Sequence, residues 1–179
     1  MGSGPDSKSV PLCVDMDGTL LRTDMLHEAL VQGLKNKPLA FFSLPGWLAQ
    51  GKSRFKALVS ELAPVDAGLL PYREEVLEII AAAKSEGRPI ILATASCSRI
   101  ADAVAEHLGL FDATLCSDTD INLSSETKAR KLVELYGERG FDYVGDSKAD
   151  LAVFPLARRR IWFRRAAGCK GSWPGATAT

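Results

Sequence analysis

Val14-Asp15-Met16-Asp17-Gly18-Thr19-Leu20 places two acidic side chains and a glycine directly after an apolar run at residues 10–14. A short apolar run that ends at a turn signal is typical of a buried β-strand. Further strands are predicted at residues 89–93, 113–116, 141–144 and 160–163. Amphipathic helical patterns, each followed by a glycine, separate the strands at residues 74–86, 99–108 and 125–136. This alternation predicts a doubly wound, parallel α/β sheet with helices on both faces.

The interval between the first two strands is far longer than a βαβ crossover needs. We interpret residues 23–70 as an inserted helical cap, with candidate helices at residues 24–34, 40–49 and 54–62. The core domain, which contains the sheet, then comprises residues 10–22 and 71–165. We expect residues 1–9 to form a flexible leader and residues 166–179 a flexible tail, because both are polar or rich in small residues.

The composition of the 179-residue chain is that of a globular protein, with 46% hydrophobic and 25% charged residues. Its formal net charge is zero, which gives no electrostatic basis for binding nucleic acid. Arginines at positions 158–160 and 164–165 form a local basic strip, which is either a solvated surface or a contact with an anionic surface.

The four cysteines lack the C-x-x-C spacing of a zinc site. Scattered cysteines of this kind favour a reducing, cytoplasmic setting. The longest apolar stretch, at residues 38–49, is too short to cross a bilayer, so we expect no transmembrane segment.

Polar side chains with catalytic potential lie at the ends of the predicted strands. Asp15 and Asp17 follow the first strand, and Thr94 and Ser96 follow the second. Lys128 lies in the first turn of the helix after the third strand, and Asp146, Ser147 and Asp150 follow the fourth. In a doubly wound sheet the carboxyl ends of the strands form the ligand-binding edge. The fold therefore predicts that these side chains meet in one site.

These residue types together can carry out phosphoryl transfer. The carboxylates of Asp15 and Asp146 are suited to Mg²⁺, which prefers one or two carboxylates together with substrate phosphate. Asp15 can attack phosphorus, and Asp17 can protonate the leaving alkoxide and later deprotonate water. Thr94, nearby backbone amides and Lys128 can hold the phosphoryl group. Lys128 also opposes the dipole of its own helix, which favours a functional reason for its position.

The wider predicted site has further members. Asp17 is predicted as a third metal residue, and Gly18 and Ala95 as further phosphate contacts. Thr19, Ser147 and Asp150 are predicted as supporting residues. Taken singly, each part has another interpretation. The Asp-Gly pair is a common turn. A calcium loop needs oxygen ligands at fixed spacing, which Leu20 and Leu21 interrupt.

The four clusters resemble the four motifs of the haloacid dehalogenase superfamily, in the same order. The clusters are the stretch from Asp15 to Thr19, then Thr94, then Lys128, and finally Gly145-Asp146-Ser147-Lys148-Ala149-Asp150. The resemblance covers residues 10–163 and implies a Rossmann-like core, Mg²⁺ and an aspartyl-phosphate intermediate. An acid at position 17 resembles the phosphatases and mutases of that superfamily. The cap resembles the small helical cap of phosphoserine phosphatases.

Residues 11–21, 92–110 and 137–150 also resemble the haloacid dehalogenase-like domains that are fused to UbiA-like prenyltransferases in bacterial membrane proteins. This closer resemblance implies either an excised domain or a stand-alone relative, and an association with such a prenyltransferase. Two positions depart from the pattern: Ser124-Ser125 replaces Lys-Gly, and Arg73 replaces an asparagine. Both departures concern substrate contacts near the cap.

The predicted function is Mg²⁺-dependent hydrolysis of a phosphomonoester. Two alternatives stay open: a non-hydrolytic regulatory or scaffolding domain of a membrane prenyltransferase, and a phosphotransferase or mutase. The substrate is either a small metabolite or a lipid-linked phosphate, and the setting is the cytoplasm or the inner face of the membrane. The cap segment at residues 39–48 is either cap core or a membrane-facing surface, since it combines apolar residues with nearby lysines, namely Phe41, Phe42, Trp47, Lys35, Lys37 and Lys52.

Overall fold

A parallel sheet of five strands forms the centre of the protein, seen here in a computed structural model that describes residues 10–36, 38–49, 51, 55, 58–59, 66–117 and 123–163. In chain order the strands are β1 (Leu12–Val14), β2 (Ile90–Cys97), β3 (Ala113–Ser117), β4 (Asp142–Gly145) and β5 (Arg159–Trp162). Their spatial order is β3-β2-β1-β4-β5, and every pairing is parallel. The doubly wound parallel sheet predicted from the sequence is confirmed.

The strand order reverses direction at β1. The chain passes from β1 outward to β2 and β3, and then returns to the other side of β1 to form β4 and β5. In open α/β sheets the crevice at such a reversal, beyond the carboxyl ends of the strands, is where ligands bind. Asp15 follows β1 and Asp146 follows β4, so the two acids lie on neighbouring strands at this crevice.

Helices cover both faces of the sheet. They are α1 (Met25–Asn36), α2 (Leu44–Ala49), α3 (Glu74–Ser85), α4 (Ser98–Leu108) and α5 (Ser125–Tyr136). Short 3₁₀ turns lie at Pro38–Ser43, Ala67–Leu69, Lys148–Ala152 and Phe154–Leu156. The left-handed φ of +61° at Gly109, which closes α4, explains why a glycine ends that helix.

Two apolar layers hold the helices on the sheet. On one face, Val14 of β1 packs in a buried cluster with residues of α3 and α4, such as Ile80 and Val104. On the other face, Cys13 of β1 packs in a second cluster with Leu132 of α5. Successive residues of a strand point to opposite faces, so a sheet covered on both sides requires strands that are apolar throughout. The three residues of β1 meet this requirement, and all are buried.

The second strand is longer than predicted. Its predicted end was residue 93, with Thr94 and Ser96 in the loop that follows, but β2 continues to Cys97. A register irregularity lies between Ala93 and Cys97, and Ser117 of β3 donates a hydrogen bond to the carbonyl oxygen of Ala95 at 2.8 Å. The prediction was wrong because polar side chains are unusual in a buried strand, and here they serve the site rather than the core.

Parts of the segment between β1 and α3 are helical. The predicted helix at residues 24–34 corresponds to α1, and the one at residues 40–49 divides into a 3₁₀ turn and α2. Within the third predicted helix, at residues 54–62, the described residues Phe55, Leu58 and Val59 are helical. The division into a core and a cap at residues 23–70 stays a prediction, and the leader at residues 1–9 and tail at residues 166–179 lie outside the described residues.

The apolar cap segment is not buried where it is described. Leu39, Phe42 and Leu48 are 78%, 80% and 56% exposed, so these side chains do not form a cap core. Lys37 and Lys52 lie outside the described residues. None of the helices in the described part of the chain is both long and apolar enough to cross a bilayer.

Candidate active site

Asp15 and Lys128 form a buried ion pair at the carboxyl edge of the sheet. Asp15 is the first residue after β1, and its backbone N–H donates to the carbonyl oxygen of Val144 on β4. Lys128 reaches the same point from α5, and its Nζ lies 2.6 Å from Oδ1 of Asp15. Both residues are at most 5% exposed. Two opposite charges are stable in such a place only when each satisfies the other.

Tyr143 and Asp150 complete the surroundings of Lys128. The Lys128 Nζ donates to the Tyr143 hydroxyl at 3.0 Å and to Oδ1 of Asp150 at 3.5 Å. The Tyr143 hydroxyl in turn donates to Oδ1 of Asp150 at 2.7 Å, and Ser147 donates to Oδ2 through its backbone N–H and its hydroxyl. All three protons of the ammonium group are therefore engaged. Tyr143 was not among the predicted site residues, because a tyrosine within an apolar strand is typical of core packing.

Asp17 is held by three hydrogen bonds. The backbone N–H of Met25 donates to its Oδ1 at 2.8 Å, while Oδ2 accepts from the hydroxyls of Ser96 at 2.7 Å and Thr94 at 3.3 Å. The oxygen of Thr94 also accepts the backbone N–H of Ser96 at 3.0 Å. Thr94 is fully buried, so its hydroxyl acts on Asp17 in this structure, and Ser96 is the residue of this pair that lines the open cavity.

Burial changes the proton affinity of both aspartates. It raises the pKa of Asp15 to about 7, although the charge of Lys128 opposes the increase. Burial also raises the pKa of Asp17, against the hydrogen bonds from Met25 and Ser96. For Lys128, burial alone would lower the pKa, but the charges of Asp15 and Asp150 outweigh it and the pKa is raised. The arrangement thus keeps Lys128 charged and makes Asp17 capable of carrying a proton.

The hydroxyl of Thr19 lies between the carboxylates of Asp15 and Asp146. Thr19 Oγ1 is 3.3 Å from Oδ2 of Asp15 and 3.5 Å from Oδ1 of Asp146. Gly18 makes room for this approach: a Cβ at this position would lie 2.6 Å from Oδ2 of Asp146, and its φ of +82° favours glycine as well. The sequence therefore needs glycine between the second aspartate and Thr19.

One cluster of acidic side chains among the described residues could hold a metal ion, and it consists of Asp15, Asp146 and Asp150. Each of them has a carboxylate oxygen within 4.8 Å of the others. A set of hard oxygen donors fits a hard divalent cation. Asp150 is the least available of the three, since Tyr143 and Ser147 already donate to its two oxygens. The carboxylate of Asp17 is outside this group, so its assignment to the metal stays a prediction.

Arg73 stabilises the turn that carries Gly18 and Thr19. Its Nη2 donates to the carbonyl oxygen of Gly18 at 2.9 Å and its Nε to that of Thr19 at 3.0 Å. Its backbone N–H donates to the carbonyl oxygen of Leu20, and its guanidinium carbon lies 5.7 Å from the ring centre of Phe163. From the sequence, Arg73 was expected only to alter substrate contacts near the cap, because nothing in its neighbours indicates a partner more than fifty positions earlier.

A cavity of about 390 Å³ opens above the two aspartates. Its lining includes Asp15, Asp17, Ala95, Ser96 and Lys128. The structure therefore places the predicted nucleophile, proton carrier and phosphate-binding lysine at one cavity. Asp146, Gly18 and Thr19 lie beside Asp15 without lining the cavity itself.

The chain resembles proteins of known family. The family of haloacid dehalogenase-like hydrolases matches residues 12–155. An uncharacterized protein, y4nM, of Sinorhizobium fredii (strain NBRC 101917 / NGR234) is 38% identical over 151 residues, which are 84% of this chain and 29% of that protein. The chain thus spans about three tenths of the length of this curated relative.

Solved structures share the fold at low sequence identity. A protein of unknown function from Bordetella pertussis Tohama I has a TM-score of 0.64 at 14% identity, over 85% of this chain and 89% of that one. A probable phosphoserine phosphatase from Vibrio cholerae has a TM-score of 0.60 at 18% identity, over 88% and 57%. A phospho-aspartyl intermediate analogue of phosphoserine phosphatase has a TM-score of 0.56 at 15% identity, over 85% of each chain. With the family match extending over most of its length, the chain belongs to the haloacid dehalogenase-like hydrolases.

Proposed function

We propose that the chain is a Mg²⁺-dependent phosphomonoester hydrolase that acts through an aspartyl-phosphate on Asp15. The observation that carries this proposal is the buried contact of 2.6 Å between Asp15 and Lys128 at the inner end of an open cavity, with Asp17 beside it. A carboxylate held by a lysine and facing a cavity is positioned to attack an incoming phosphoryl group. The phospho-aspartyl analogue of phosphoserine phosphatase, which shares this fold, supports the same chemistry.

The chain's own residues account for both half-reactions. An oxygen of Asp15 forms a bond to phosphorus as the bond between phosphorus and the ester oxygen breaks, and Asp17 gives its proton to the departing alkoxide. Water then attacks the phosphorus of the aspartyl-phosphate and gives a proton to Asp17. This releases inorganic phosphate and restores the carboxylate of Asp15. Lys128 balances charge on the phosphoryl oxygens in both steps.

Asp15 and Asp146 are the residues that would hold Mg²⁺, and their oxygen donors fit a hard cation. When bound, the ion neutralises charge on the transferring phosphoryl group and on the two carboxylates. Thr19 lies between these carboxylates and helps to orient them, while Ser147 and Tyr143 fix Asp150 beside Lys128. Gly18 and Ala95 are proposed phosphate contacts through their backbone.

A second candidate is a regulatory or scaffolding domain within a longer protein. The motivating observation is that the chain spans only 29% of the curated relative y4nM. Association with a UbiA-like prenyltransferase at the inner face of the membrane would be such a role, and co-purification with that partner tests it. The burial of Asp15 and Lys128 favours catalysis over pure scaffolding, because buried charges are costly to maintain without a function.

Hydrolysis of para-nitrophenyl phosphate with and without Mg²⁺ tests the main proposal. We expect Mg²⁺-dependent release of phosphate that Asp15→Asn abolishes and Asp17→Asn reduces strongly. Glu78→Gln, at an exposed position on α3, is the matched control and should behave as the native chain. Transfer of the phosphoryl group to an added alcohol in preference to water would favour a phosphotransferase instead. Full activity in Asp15→Asn would exclude the mechanism.

A further inference from the structure

Part of the wall of the cavity that holds the catalytic residues is apolar. Four side chains line it: Leu26 and Ala29 of α1, Cys97 at the end of β2 and Ile100 of α4. Ala29 and Ile100 are buried, and Leu26 and Cys97 are half-buried. A phosphate ester bound with its phosphorus at Asp15 would place its alcohol part within this cavity. Apolar surface removed from water there contributes favourably to binding.

Most of the hydroxyl and ammonium donors that line the cavity are committed to protein partners, and the hydroxyl of Ser124, which makes no capping hydrogen bond, is the exception among the described residues. Lys128, the only lysine or arginine among the described lining residues, uses its three protons on Asp15, Tyr143 and Asp150. A serine hydroxyl carries one proton. Three lining serines donate theirs within the protein: Ser96 to Asp17 at 2.7 Å, Ser125 to the carbonyl oxygen of Ala149 at 2.7 Å, and Ser147 to Asp150 at 2.8 Å.

The carboxylate of Asp24 is also part of the cavity lining, and it repels an anion. Asp24 lines the cavity beside Leu26, and its carboxylate caps α1 by accepting the N–H groups of Leu26 and His27. It also acts electrostatically on Asp17, whose pKa it helps to raise. An anionic group on the alcohol part would meet this charge, and among the described residues no lysine or arginine other than Lys128 lines the cavity to offset its loss of hydration.

We propose that this site, if it hydrolyses phosphomonoesters as inferred above, selects esters of uncharged alcohols with an apolar body over esters that carry a second anionic group. The alcohol part lies against Leu26, Ala29, Cys97 and Ile100, and Asp24 disfavours carboxylates and second phosphates. Phosphoserine, whose alcohol part carries a carboxylate and an ammonium and has no apolar body, is accordingly a poor substrate for this chain, although solved phosphoserine phosphatases share its fold.

A matched pair of esters tests the proposal. Hexyl phosphate and 5-carboxypentyl phosphate have the same chain length and differ in a terminal carboxylate. We expect kcat/KM to be at least about tenfold higher for hexyl phosphate, and phosphoserine to be a poor substrate as well. Equal or greater kcat/KM for the carboxylated ester would overturn the selectivity while leaving the phosphatase function intact.

A positive charge introduced into the apolar wall tests the proposed selectivity independently. Leu26→Lys should reduce the preference for hexyl phosphate by about tenfold, because the new ammonium group can pair with the carboxylate. Leu69→Lys, at an exposed position that does not line the cavity, is the control and should leave the preference unchanged. An unchanged preference in a folded Leu26→Lys variant would contradict the assignment of this wall to the alcohol part.

Binding of non-hydrolysable analogues separates this inference from the function on which it rests. Hexylphosphonate should bind at least about tenfold more tightly than 5-carboxypentylphosphonate in calorimetric titrations of the native chain with Mg²⁺. If neither ester is hydrolysed, the proposed function fails, but the two titrations still decide the selectivity. Equal affinities, or no detectable binding of hexylphosphonate, would overturn it.

Discussion

Lys128 Nζ lies 2.6 Å from Oδ1 of Asp15, in a place where both side chains are almost completely buried. Helix α5 thereby supplies the positive charge for an acid 113 positions earlier in the chain. We expect Lys128→Met to lower kcat by at least about 100-fold, because it removes the group that orients Asp15 and balances phosphoryl charge.

Steady-state kinetics with para-nitrophenyl phosphate measure the loss at Lys128, and circular dichroism confirms that the variant is folded. Lys131 is the control, since it lies on the same helix with its side chain 42% exposed and paired with Glu134. Lys131→Met should retain activity within about twofold, because an exposed pair of this kind contributes little free energy. A similar loss in both variants would show that the effect of Lys128 is not local.

Gly18 gives the sharpest steric prediction. A Cβ there would lie 2.6 Å from Asp146 Oδ2, so Gly18→Ala must displace the acid proposed to hold Mg²⁺. Gly109→Ala is the matched control, because it has a similar positive φ of +61° with no atom near its Cβ position. Both variants should lose about 1 kcal/mol of stability in urea unfolding, since both place alanine at positive φ, and Gly18→Ala should lose more because Asp146 must move.

Activity and metal binding separate these two glycine variants. Gly18→Ala alone should weaken Mg²⁺ binding in calorimetric titrations, and its kcat/KM should fall by at least about tenfold. A Gly18→Ala variant with native Mg²⁺ affinity would contradict the proposed position of the metal.

Arg73 is predicted to act as a positioning residue. It donates to the carbonyl oxygens of Gly18 and Thr19, and lysine cannot form two fixed hydrogen bonds of this geometry. Arg73→Lys should lower kcat by about tenfold and Arg73→Met by more, with KM little changed, because the substrate does not touch this side chain. Arg22→Met, which loses only an exposed ion pair of 3.8 Å with Glu75, should have native kinetics. A change in KM alone would indicate a substrate contact instead.

Asp142 gives a prediction about stability and pH. Burial alone would raise its pKa, but hydrogen bonds from Arg158 and the charge of Arg88 outweigh burial and hold the pKa below its usual range. The unfolded chain therefore binds a proton at Asp142 more readily than the folded chain does. The stabilisation is present above the usual aspartate pKa of about 4, and it is lost as the pH falls through the lower pKa of the folded state.

Asp142→Asn should accordingly lower the free energy of unfolding by about 3 kcal/mol at pH 7, because it leaves two partly buried arginines without their charge partner. Urea titrations at pH 7 and pH 3 should show the difference between variant and native chain becoming smaller at pH 3. A difference that does not depend on pH would rule out the ion pairs as its cause. Asp112→Asn, near the same end of the sheet, is a control without an arginine partner.

The sequence was sufficient for the sheet because each strand and helix carries its own local signal. Apolar runs and terminal glycines predicted the strand and helix pattern, and the rule for parallel sheets predicted that the strand ends meet. Asp15, Asp17 and Lys128 could therefore be placed near one another before any coordinates were known. The observed cavity and the ion pair add distances to that expectation.

The contacts that the sequence could not predict join positions far apart in the chain. Arg73 was expected near the cap, yet it binds the turn after Asp17. Arg158 was predicted within a basic strip that is either solvated or in contact with an anionic surface, yet it pairs with Asp142 at 2.9 Å. Tyr143 belongs to the core, as its place in an apolar strand indicates, but its hydroxyl also bridges Lys128 and Asp150. A single sequence shows residue types and local spacing, but it does not show which distant polar groups become partners.

The most direct test of the account is to detect a phosphoryl group on Asp15. The native chain is mixed with excess phosphate ester and Mg²⁺, quenched in acid within milliseconds and examined by intact-mass and peptide mass spectrometry. We predict an adduct with the mass of one phosphoryl group, located on Asp15 and absent from Asp15→Asn. An Asp15→Asn variant that still hydrolyses the ester at the native rate, with no adduct on the native chain, would contradict the central claim.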